Sequence, residues 1–586
     1  MQLVDFTTLT AICTELRAEW IPSRIEQVYQ RDRYTINIGL RTLKKRGWLS
    51  ISWHPLAARI CLGDNPPKIP DTFTFSDQLR HQLNGLALIN IAAIAPMERV
   101  LDLQFAKRPD DQIIWHLYIE IMGKYSNVIL TGADDIIVTV AHQVSSQQSR
   151  VRPLQTGQVY ELPPSLTSTI PSLNESEERW QERVSLIPGN LAKQLLKNYR
   201  GLSPALVNSM LNVSGLNSSQ TTDSLNSQDW HNLFMTWQQW LKIISQLQNN
   251  DISSIKPGFT ADGYNVMGWG VIKPVESLQS LVNEYYSQKL NQIEFNQLHH
   301  QLKEKIKSLL NKLTLKETGH LSTLKQVEKA DIYKEKADLL MAYLAEWKPG
   351  LKVISLPDFH TNELIDIELE PEKNAIQNAQ ALYKRQQKLK RARNAVEPLL
   401  KEVQTEIYYL QQIAGNLEEL EEQKNPEDLQ TLQEIKAELI NEKYLENSLQ
   451  NNVNLLQESK PHRYFTPKGW EILIGRNNRQ NDQLSFKIAK DYDLWFHTQE
   501  IPGSHCLLRL PPGEIPPQED LQLLADLTAY YSQARHSEQV PVIYTQPKYV
   551  YKPKGAKPGM VVYKHETVIW GNPHRGLDYI KFVVGL

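Results

Sequence analysis

Cysteine is scarce in this sequence of 586 residues. The three cysteines, Cys13, Cys61 and Cys506, lie far apart and form no CxxC or Cys/His pairing. This spacing excludes a disulfide framework and gives no support to a structural zinc site. A reducing compartment therefore fits best.

Long apolar runs are missing too. The first twenty residues contain Asp5, Glu15, Arg17 and Glu19 where a secretory signal would need an apolar segment. The longest apolar stretch without Asp, Glu, Lys or Arg, residues 81–97, is short for a bilayer span. We therefore expect a cytoplasmic protein with no membrane partner.

The common enzyme signatures are also absent. The sequence has no GxxxxGK[ST] phosphate loop, no GxGxxG after a strand, no GxSxG and no HExxH. The densest polar cluster, residues 491–505, matches no zinc or iron spacing. Its Trp495 and Phe496 are expected in the core, with stacking on nucleobases as the alternative. We expect no catalytic residue, no metal and no cofactor.

What the sequence does contain indicates a multidomain α+β protein. Its length is too great for one hydrophobic core. With 41% hydrophobic and 22% charged residues, it can form ordinary cores, which excludes wholesale disorder. The 64 Lys and Arg nearly cancel the 66 Asp and Glu, so any charge signal must be local.

The first 180 residues mix helix and strand patterns. Asp5 is suited to cap a helix, and the alternating stretches 25–41 and 48–63 predict strands. Residues 186–211 predict two short helices around a glycine turn, with Ser203 as N-cap of the second. Such a helix-hairpin-helix can direct backbone N–H groups at a phosphate. A hairpin that packs only for stability is the equal alternative.

From about residue 285 the pattern changes to long helices. Apolar residues in a Lys/Glu-rich background recur at 4-3-4 spacing at Leu302, Ile306, Leu309 and Leu313. A similar pattern covers 403–417, and the segment 351–371 between them predicts two or three short strands. We expect two arms that pair antiparallel, with Pro426 interrupting the returning arm. A homodimeric coiled coil is the alternative.

Three basic clusters lie in separate predicted elements. One is on the returning arm, one is in an amide-rich turn after a strand, and one is the turn KPKGAKPG. Their members are Lys384, Arg385, Lys388, Lys390, Arg391 and Arg393; Arg476 and Arg479; and Lys552, Lys554 and Lys557. One such cluster is usually a solvated face, but three on a chain of net charge near zero indicate a large polyanion. We predict that these residues bind a large polyanion such as RNA.

Two short motifs border predicted strands in the N-terminal region. One precedes a strand, and the other leads into a Gly-Lys-aromatic-Ser-Asn turn that can present a cation beside several hydrogen-bond donors. A capped helix or a plain hairpin turn is the structural alternative. The candidate residues are Glu98, Arg99, Glu120, Ile121, Met122 and Lys124.

These blocks, in this order, resemble the NFACT family of ribosome quality control proteins over essentially the whole chain. The resemblance rests on Glu98-Arg99, IEIMGKYSNVIL, KNAIQNAQALYKRQQKLKRA, IGRNNRQND, DLWFHTQEIPGSH and KPKGAKPG. It implies a glycosylase-like N-terminal domain, a helix-hairpin-helix, a long antiparallel coiled coil with a small middle domain, and an α/β C-terminal NFACT-R domain. The expected boundaries are 1–180, 181–284, 285–459 with the middle domain at about 348–372, and 460–586.

The resemblance also implies a function. Family members bind stalled large (50S) ribosomal subunits that hold peptidyl-tRNA and recruit charged tRNA for non-templated elongation. Bacterial members add a C-terminal alanine tail that marks the nascent chain for degradation. The ribosome makes the peptide bonds, so the protein would not be an enzyme. The implied partners are 23S rRNA, to which the three basic clusters would bind, peptidyl-tRNA, tRNA-Ala and a small S4-domain helper protein.

The resemblance assigns tRNA binding to the two N-terminal motifs. Glu98-Arg99 stands where the family usually has Asp-Arg, so the carboxylate is kept on an arm that is one methylene longer. Glu120, Ile121 and Met122 match a Glu-Ile-Met element. Two other classes stay open: a fibronectin-binding surface adhesin, and a nucleic-acid-processing enzyme related to DNA glycosylases.

Overall fold

The structure is a computed structural model of the chain. It describes residues 1–67, 70–149, 151–164, 167–327, 329–421, 425–446 and 458–584. The chain divides into two compact units, Met1–Leu290 and Asn291–Leu586. Within the described ranges, every helix is too short or too polar to span a bilayer.

The alternating patterns of the N-terminal region form a large antiparallel sheet. Its strands are β1 (Ser23–Asp32), β2 (Thr35–Arg41), β3 (Arg46–Ser52), β4 (Arg59–Gly63), β5 (Ala87–Ala93), β6 (Val100–Ala106), β7 (Trp115–Glu120), β8 (Asn127–Gly132) and β9 (Ile137–Val140). Among the described residues the order is β4-β3-β2-β1-β5-β6-β7-β8-β9. The strands predicted from 25–41 and 48–63 are confirmed.

Helices of the first unit share one hydrophobic core with this sheet. They are α1 (Phe6–Trp20), α2 (Thr74–Leu83), α3 (Glu177–Ser185), α4 (Leu191–Asn198), α5 (Pro204–Val213) and α6 (Ser227–Gln248). Asp5 caps α1 by accepting from the Thr8 N–H over 2.8 Å, and Ser203 caps α5, as predicted. The Ser203 hydroxyl also donates to Asp5 over 2.8 Å, which joins the two caps. Three short strands, β10 (Gly258–Phe259), β11 (Tyr264–Asn265) and β12 (Lys273–Pro274), follow.

Long helices follow, as the 4-3-4 spacing predicts. They are α7 (Leu278–Val327), α8 (Ala330–Ala342), α9 (Ala375–Glu419) and α10 (Pro426–Asn441). His299 of α7 contacts the carbonyl of Leu417 at 2.8 Å, and Glu317 accepts from Gln404 at 2.9 Å, so α7 and α9 run antiparallel here. The interruption predicted at Pro426 is confirmed, because α10 begins there.

A small hairpin lies between α8 and α9. It consists of β13 (Val353–Pro357) and β14 (Leu364–Glu368), which pair antiparallel. Its buried Ile354, Leu356 and Ile367 pack against Leu339 and Leu340 of α8. The strands predicted in 351–371 are confirmed.

The C-terminal region folds around a second sheet. Its elements are β15 (His462–Phe465), β16 (Glu471–Ile474), α11 (Asn478–Gln483), β17 (Leu494–Thr498), β18 (Cys506–Leu508), α12 (Gln518–Tyr530), β19 (Val540–Thr545), β20 (Val550–Tyr551), β21 (Val562–Tyr563), β22 (Thr567–Gly571) and α13 (Pro573–Val584). Among the described residues the main sheet has the order β15-β16-β18-β17-β19-β22, and β20 pairs with β21. Trp495 and Phe496 are fully buried, which confirms the core prediction over the stacking one.

Candidate nucleic-acid interface

The two N-terminal candidate motifs lie at one end of the first unit's sheet. Glu98 and Arg99 directly precede β6, and Ile121 directly follows β7. Because β6 and β7 pair with Val100 opposite Glu120, the N–H of Ile121 donates to the carbonyl oxygen of Arg99 over 3.0 Å. The fold therefore brings both motifs to the same end of the paired strands β6 and β7.

The side chains of the first motif make few contacts. Arg99 is half-buried and donates to the carbonyl oxygen of Val4 over 3.2 Å. A carboxylate oxygen of Glu98 lies 3.7 Å from Arg200 and has no hydrogen-bond partner in the described part of the chain. Glu98 and Arg17 both border a cavity of about 450 Å³. That carboxylate oxygen is buried, and the charge of the Arg200 guanidinium 3.7 Å away compensates it in part.

The predicted helix-hairpin-helix packs beside this motif. Gly201, in its turn, has φ +75°, a conformation that favours glycine. A Cβ on Gly201 would lie 2.8 Å from the sulfur of Met97, whose own φ is +59°. Arg200 donates to the carbonyl of Ser168 over 2.7 Å, which holds the turn in place. The hairpin and the Glu98-Arg99 motif thus form one continuous region.

Glu120 is placed differently from its neighbours. Its side chain is only 1% exposed, and Arg152 donates to both of its oxygens, one of them over 3.0 Å. The Tyr160 hydroxyl adds a third hydrogen bond of 2.9 Å, and this burial beside the Glu120 charge raises the pKa of Tyr160. Glu120 is therefore hydrogen-bonded within the protein, which favours a positioning role, and its contact with tRNA stays a prediction.

The turn after β7 exposes a cation, as the sequence predicts. Gly123–Tyr125 forms a single helical turn, and the N–H of Met122 donates to the Ser126 hydroxyl over 2.9 Å. Lys124 is exposed and lies 4.9 Å from the ring centre of Tyr125, which is 71% exposed. An exposed aromatic ring beside a lysine can stack on a base while the amine meets a phosphate.

The predicted basic cluster on the returning arm lies along α9. All six cations, from Lys384 to Arg393, are exposed. Arg385 lies 4.6 Å from the ring centre of Tyr333, and Arg393 pairs with Glu397 at 2.7 Å. The cluster thus surrounds this part of α9, because helical spacing puts Lys384, Lys388 and Arg391 on one side and Arg393 on the opposite one. Its exposed cations are suited to phosphate contacts.

The amide-rich motif after β16 is largely buried, with Arg479 as an exposed exception. Arg476, 6% exposed, donates to Asp428 of α10 over 2.8 Å, and Asn477 donates to Glu434 over 2.7 Å. Asn478 donates to Glu438 over 3.0 Å. These contacts fasten the C-terminal sheet to α10. They favour a structural role for Arg476, and its rRNA role stays a prediction.

The other C-terminal cations differ in how accessible they are. Arg479 is exposed and pairs with Glu458 at 2.6 Å. Lys552 binds Asp482, and the amine of Lys557 contacts the hydroxyl of Tyr444. Lys554 is exposed in the turn between β20 and β21, which confirms that KPKGAKPG forms a turn.

Several residues that shape these regions carry no sequence signal of their own. Arg152 stands in an irregular polar stretch, and Asp428 and Glu434 belong to an acidic helix that has the appearance of a solvated surface. Only a pairing of charges across distant segments could have identified them, and spacing along one sequence contains no such information.

The fold and the exposed cations define a multidomain α+β protein suited to binding RNA. Residues 5–455 match the family model of NFACT N-terminal and middle domains, and residues 460–565 match the NFACT protein RNA binding domain. The chain belongs to the NFACT family, which confirms the resemblance seen in its motifs.

Relatives of known designation agree with this assignment. The chain is 30% identical to the Rqc2 homolog RqcH of Streptococcus suis, over 95% of this chain and 96% of that protein. It is 28% identical to RqcH of Bacillus subtilis, with the same coverage. The solved C-terminal part of the fibronectin/fibrinogen-binding protein of Streptococcus suis is 31% identical, with 48% of this chain and 95% of that structure covered and a TM-score of 0.37. The family match and the two RqcH relatives together assign the chain to the ribosome quality control factors.

Proposed function

We propose that this protein binds stalled large ribosomal subunits that carry peptidyl-tRNA and recruits charged tRNA, tRNA-Ala, to them in the cytoplasm. It directs non-templated alanine tailing, while the ribosome forms each peptide bond. The protein itself then needs no catalytic residue, metal or cofactor. Its implied partners are 23S rRNA, both tRNAs and a small S4-domain helper.

The observation that carries this proposal is that the two motifs lie side by side at one end of the paired strands β6 and β7. The hydrogen bond between Ile121 and Arg99 joins them, and the hairpin turn at Gly201 packs directly beside them. Around these strand ends lie Glu98, which is half-buried and borders a cavity, and an exposed lysine, Lys124. Such a mixture of acceptors and cations suits a folded RNA better than it suits a small substrate.

Within this tRNA region, the residues have different roles. Glu98, Arg99, Met122 and Lys124 contact tRNA, whereas Glu120 positions the end of β7 through its pair with Arg152. Ile121 is buried and acts through its backbone. The exposed cations of α9 supply phosphate contacts to rRNA, which makes subunit binding dependent on salt.

The adhesin and glycosylase alternatives are not favoured. The C-terminal region matches an RNA-binding domain, and the relatives that cover nearly the whole chain are RqcH proteins. Neither of these two findings indicates fibronectin binding or base excision.

The test of the proposal is Arg99→Ala, compared with Arg108→Ala. Arg108 is an exposed arginine just after β6, at the other end of that strand from Arg99. We expect Arg99→Ala to abolish alanine tailing in cells and to leave co-sedimentation with large subunits nearly intact, while Arg108→Ala changes neither. Joint loss of tailing and subunit binding in Arg99→Ala would contradict the division of roles.

A further inference from the structure

An exposed surface of the C-terminal region combines lysines with aromatic rings. Two elements form it: the hairpin of β20 and β21, and strand β22, which ends the main sheet. The Thr545 hydroxyl of β19 donates to the carbonyl of Lys564 over 2.9 Å, which holds the hairpin end against the sheet. None of the cations predicted from the sequence lies on β22 or at Lys564.

Both elements direct large side chains into solvent on one side of the sheet. Val568 pairs with Ile543, whose side chain shares a small core with Val550 of the hairpin, so Val568 and Trp570 point to the hairpin side. Trp570 is 57% exposed, and Tyr551 is 47% exposed. Val562 and Val568, on the same two elements, are 50% and 47% exposed. A group of exposed apolar side chains, unlike a lone one, marks an interaction site.

One lysine lies beside the ring of Tyr551, and another lies beside the ring of Tyr549, which precedes the hairpin. Lys564 lies 5.9 Å from the ring centre of Tyr551, and Lys548 lies 5.0 Å from that of Tyr549. Tyr549 in turn packs on His565 with 4.5 Å between ring centres. In the sequence 548–570, five lysines stand against a single carboxylate, Glu566. Lys552 pairs with Asp482 and the amine of Lys557 contacts Tyr444, and the other three are Lys548, Lys554 and Lys564. The surface is therefore cationic as well as aromatic.

We propose that this lysine–aromatic surface, consisting of Lys548, Tyr551, Lys564 and Trp570, binds single-stranded RNA. Bases stack on Tyr551 and Trp570, and the two lysines contact the flanking phosphates. Stacking needs unpaired bases, because the bases of a duplex are already stacked on each other. The inference rests on the proposed function, for which it names the RNA-contacting surface of the C-terminal region.

A protein strand is the competing occupant, because β22 is an edge strand and could accept an added strand. The lysines favour RNA. Strand addition uses backbone groups and apolar pockets, and it has no need of cations placed beside exposed rings. A protein partner is therefore an outcome of the test and is not a second proposal.

The test uses the full-length protein and a fluorescein-labelled single-stranded RNA of mixed sequence, followed by fluorescence anisotropy at several salt concentrations. We expect Trp570→Ala and Tyr551→Ala each to weaken binding about tenfold, since stacking is lost. Trp570→Phe keeps a ring and should restore most of the affinity. Lys548→Gln and Lys564→Gln should each lower the slope of log K against log salt by about 0.7.

Lys468→Gln is the matched control. Lys468 is also an exposed lysine beside an aromatic ring, 5.3 Å from the centre of Trp470, but it lies between β15 and β16 at the opposite edge of the sheet. It removes the same charge and should leave RNA affinity within about twofold, apart from long-range electrostatics. Unchanged melting of each variant shows that the fold is kept.

Two results would overturn the inference. One is equal RNA affinity in the wild type, Trp570→Ala and Lys564→Gln. The other is cross-linking of the surface to a protein strand in place of RNA. Co-sedimentation with large subunits is measured on the same preparations. If the wild type associates with subunits but the variants bind RNA as the wild type does, only this surface is rejected. If the wild type does not associate with subunits, the proposed function is rejected.

Discussion

Arg152 and Glu120 form a buried ion pair in which the guanidinium donates to both carboxylate oxygens. Arg152 also donates through its remaining nitrogen to the carbonyl of Glu161 over 2.7 Å. The pair fastens an irregular segment after β9 to the end of β7, where the Glu-Ile-Met element lies. A residue outside every recognisable motif thus fixes the position of the end of β7 in the predicted tRNA region.

Loss of this pair should destabilise the first unit. Arg152→Ala leaves the Glu120 charge buried with only Tyr160 as donor, and breaking a buried pair costs about 3 to 5 kcal/mol. Urea denaturation of the full chain, followed by tryptophan fluorescence, measures the change. Glu120→Gln combined with Arg152→Ala removes the unpaired charge and should recover part of the loss. A cost below about 1 kcal/mol, as for an exposed pair, would contradict the buried arrangement.

Gly201→Ala should impair tRNA recruitment with little effect on subunit binding. The new methyl group meets both a φ of +75° and the side chain of Met97, 2.8 Å from its sulfur and 3.2 Å from its Cβ, so the Met97 side chain next to Glu98 must shift. Gly215→Ala is the matched control, because its φ is +76° but nothing lies within 4 Å. Both variants carry a similar backbone cost of about 1 to 2 kcal/mol.

Tailing and tRNA co-purification distinguish the two glycine variants. We expect Gly201→Ala to lose most tailing and Gly215→Ala to retain it. Equal tailing in the two variants would show that contact between the hairpin and Met97 has no role in recruitment.

Arg476→Ala and Arg479→Ala should separate structure from RNA contact. Arg476 is buried against Asp428, so its loss should cost about 3 kcal/mol and raise hydrogen exchange in α10 and α11. Arg479 pairs at the surface, so its loss should cost less than about 1 kcal/mol. Hydrogen–deuterium exchange by mass spectrometry checks both. If α10 and α11 of Arg476→Ala keep normal protection from hydrogen exchange, direct contact with RNA is again the favoured role of Arg476.

Glu438 makes attachment of the C-terminal sheet to α10 sensitive to pH. Burial raises the pKa of Glu438 from 4.5 to about 7, so the folded chain holds this proton more tightly than the unfolded chain does. The stabilisation that comes from binding this proton is fully present below about pH 4.5 and is lost as the pH rises through about 7. Glu438→Gln cannot ionise.

Between about pH 5 and about pH 8, wild-type stability should therefore fall relative to Glu438→Gln by on the order of 2 kcal/mol. Urea midpoints of the two proteins at both pH values measure this difference. A wild-type protein that gains stability relative to the variant over this range would show that Glu438 is ionised when folded and stabilised by its donors Tyr409 and Asn478.

Local patterns predicted the elements better than they predicted the surfaces. The sequence was sufficient to predict the helix caps at Asp5 and Ser203 and the helix break at Pro426, because each depends on backbone chemistry within a few residues. The pairing of β6 with β7 also follows once their strands are known. It brings Arg99 to Ile121 without any further assumption.

Accessibility of charge was the part that sequence could not supply. Arg476 and Arg479 stand three positions apart in one motif, yet one is buried against α10 and the other is exposed. The difference arises from acidic side chains on a helix about fifty residues earlier in the sequence. For the same reason Lys552 and Lys557 looked free in the sequence, although Asp482 and Tyr444 engage them.

The most direct test of the central claim is to recover the protein from growing cells after cross-linking and to sequence the RNA that is joined to it. We predict 23S rRNA together with one dominant tRNA family, and loss of the tRNA but not of the 23S rRNA in Arg99→Ala. Recovery of neither RNA above the background of an unrelated tagged protein would contradict the account.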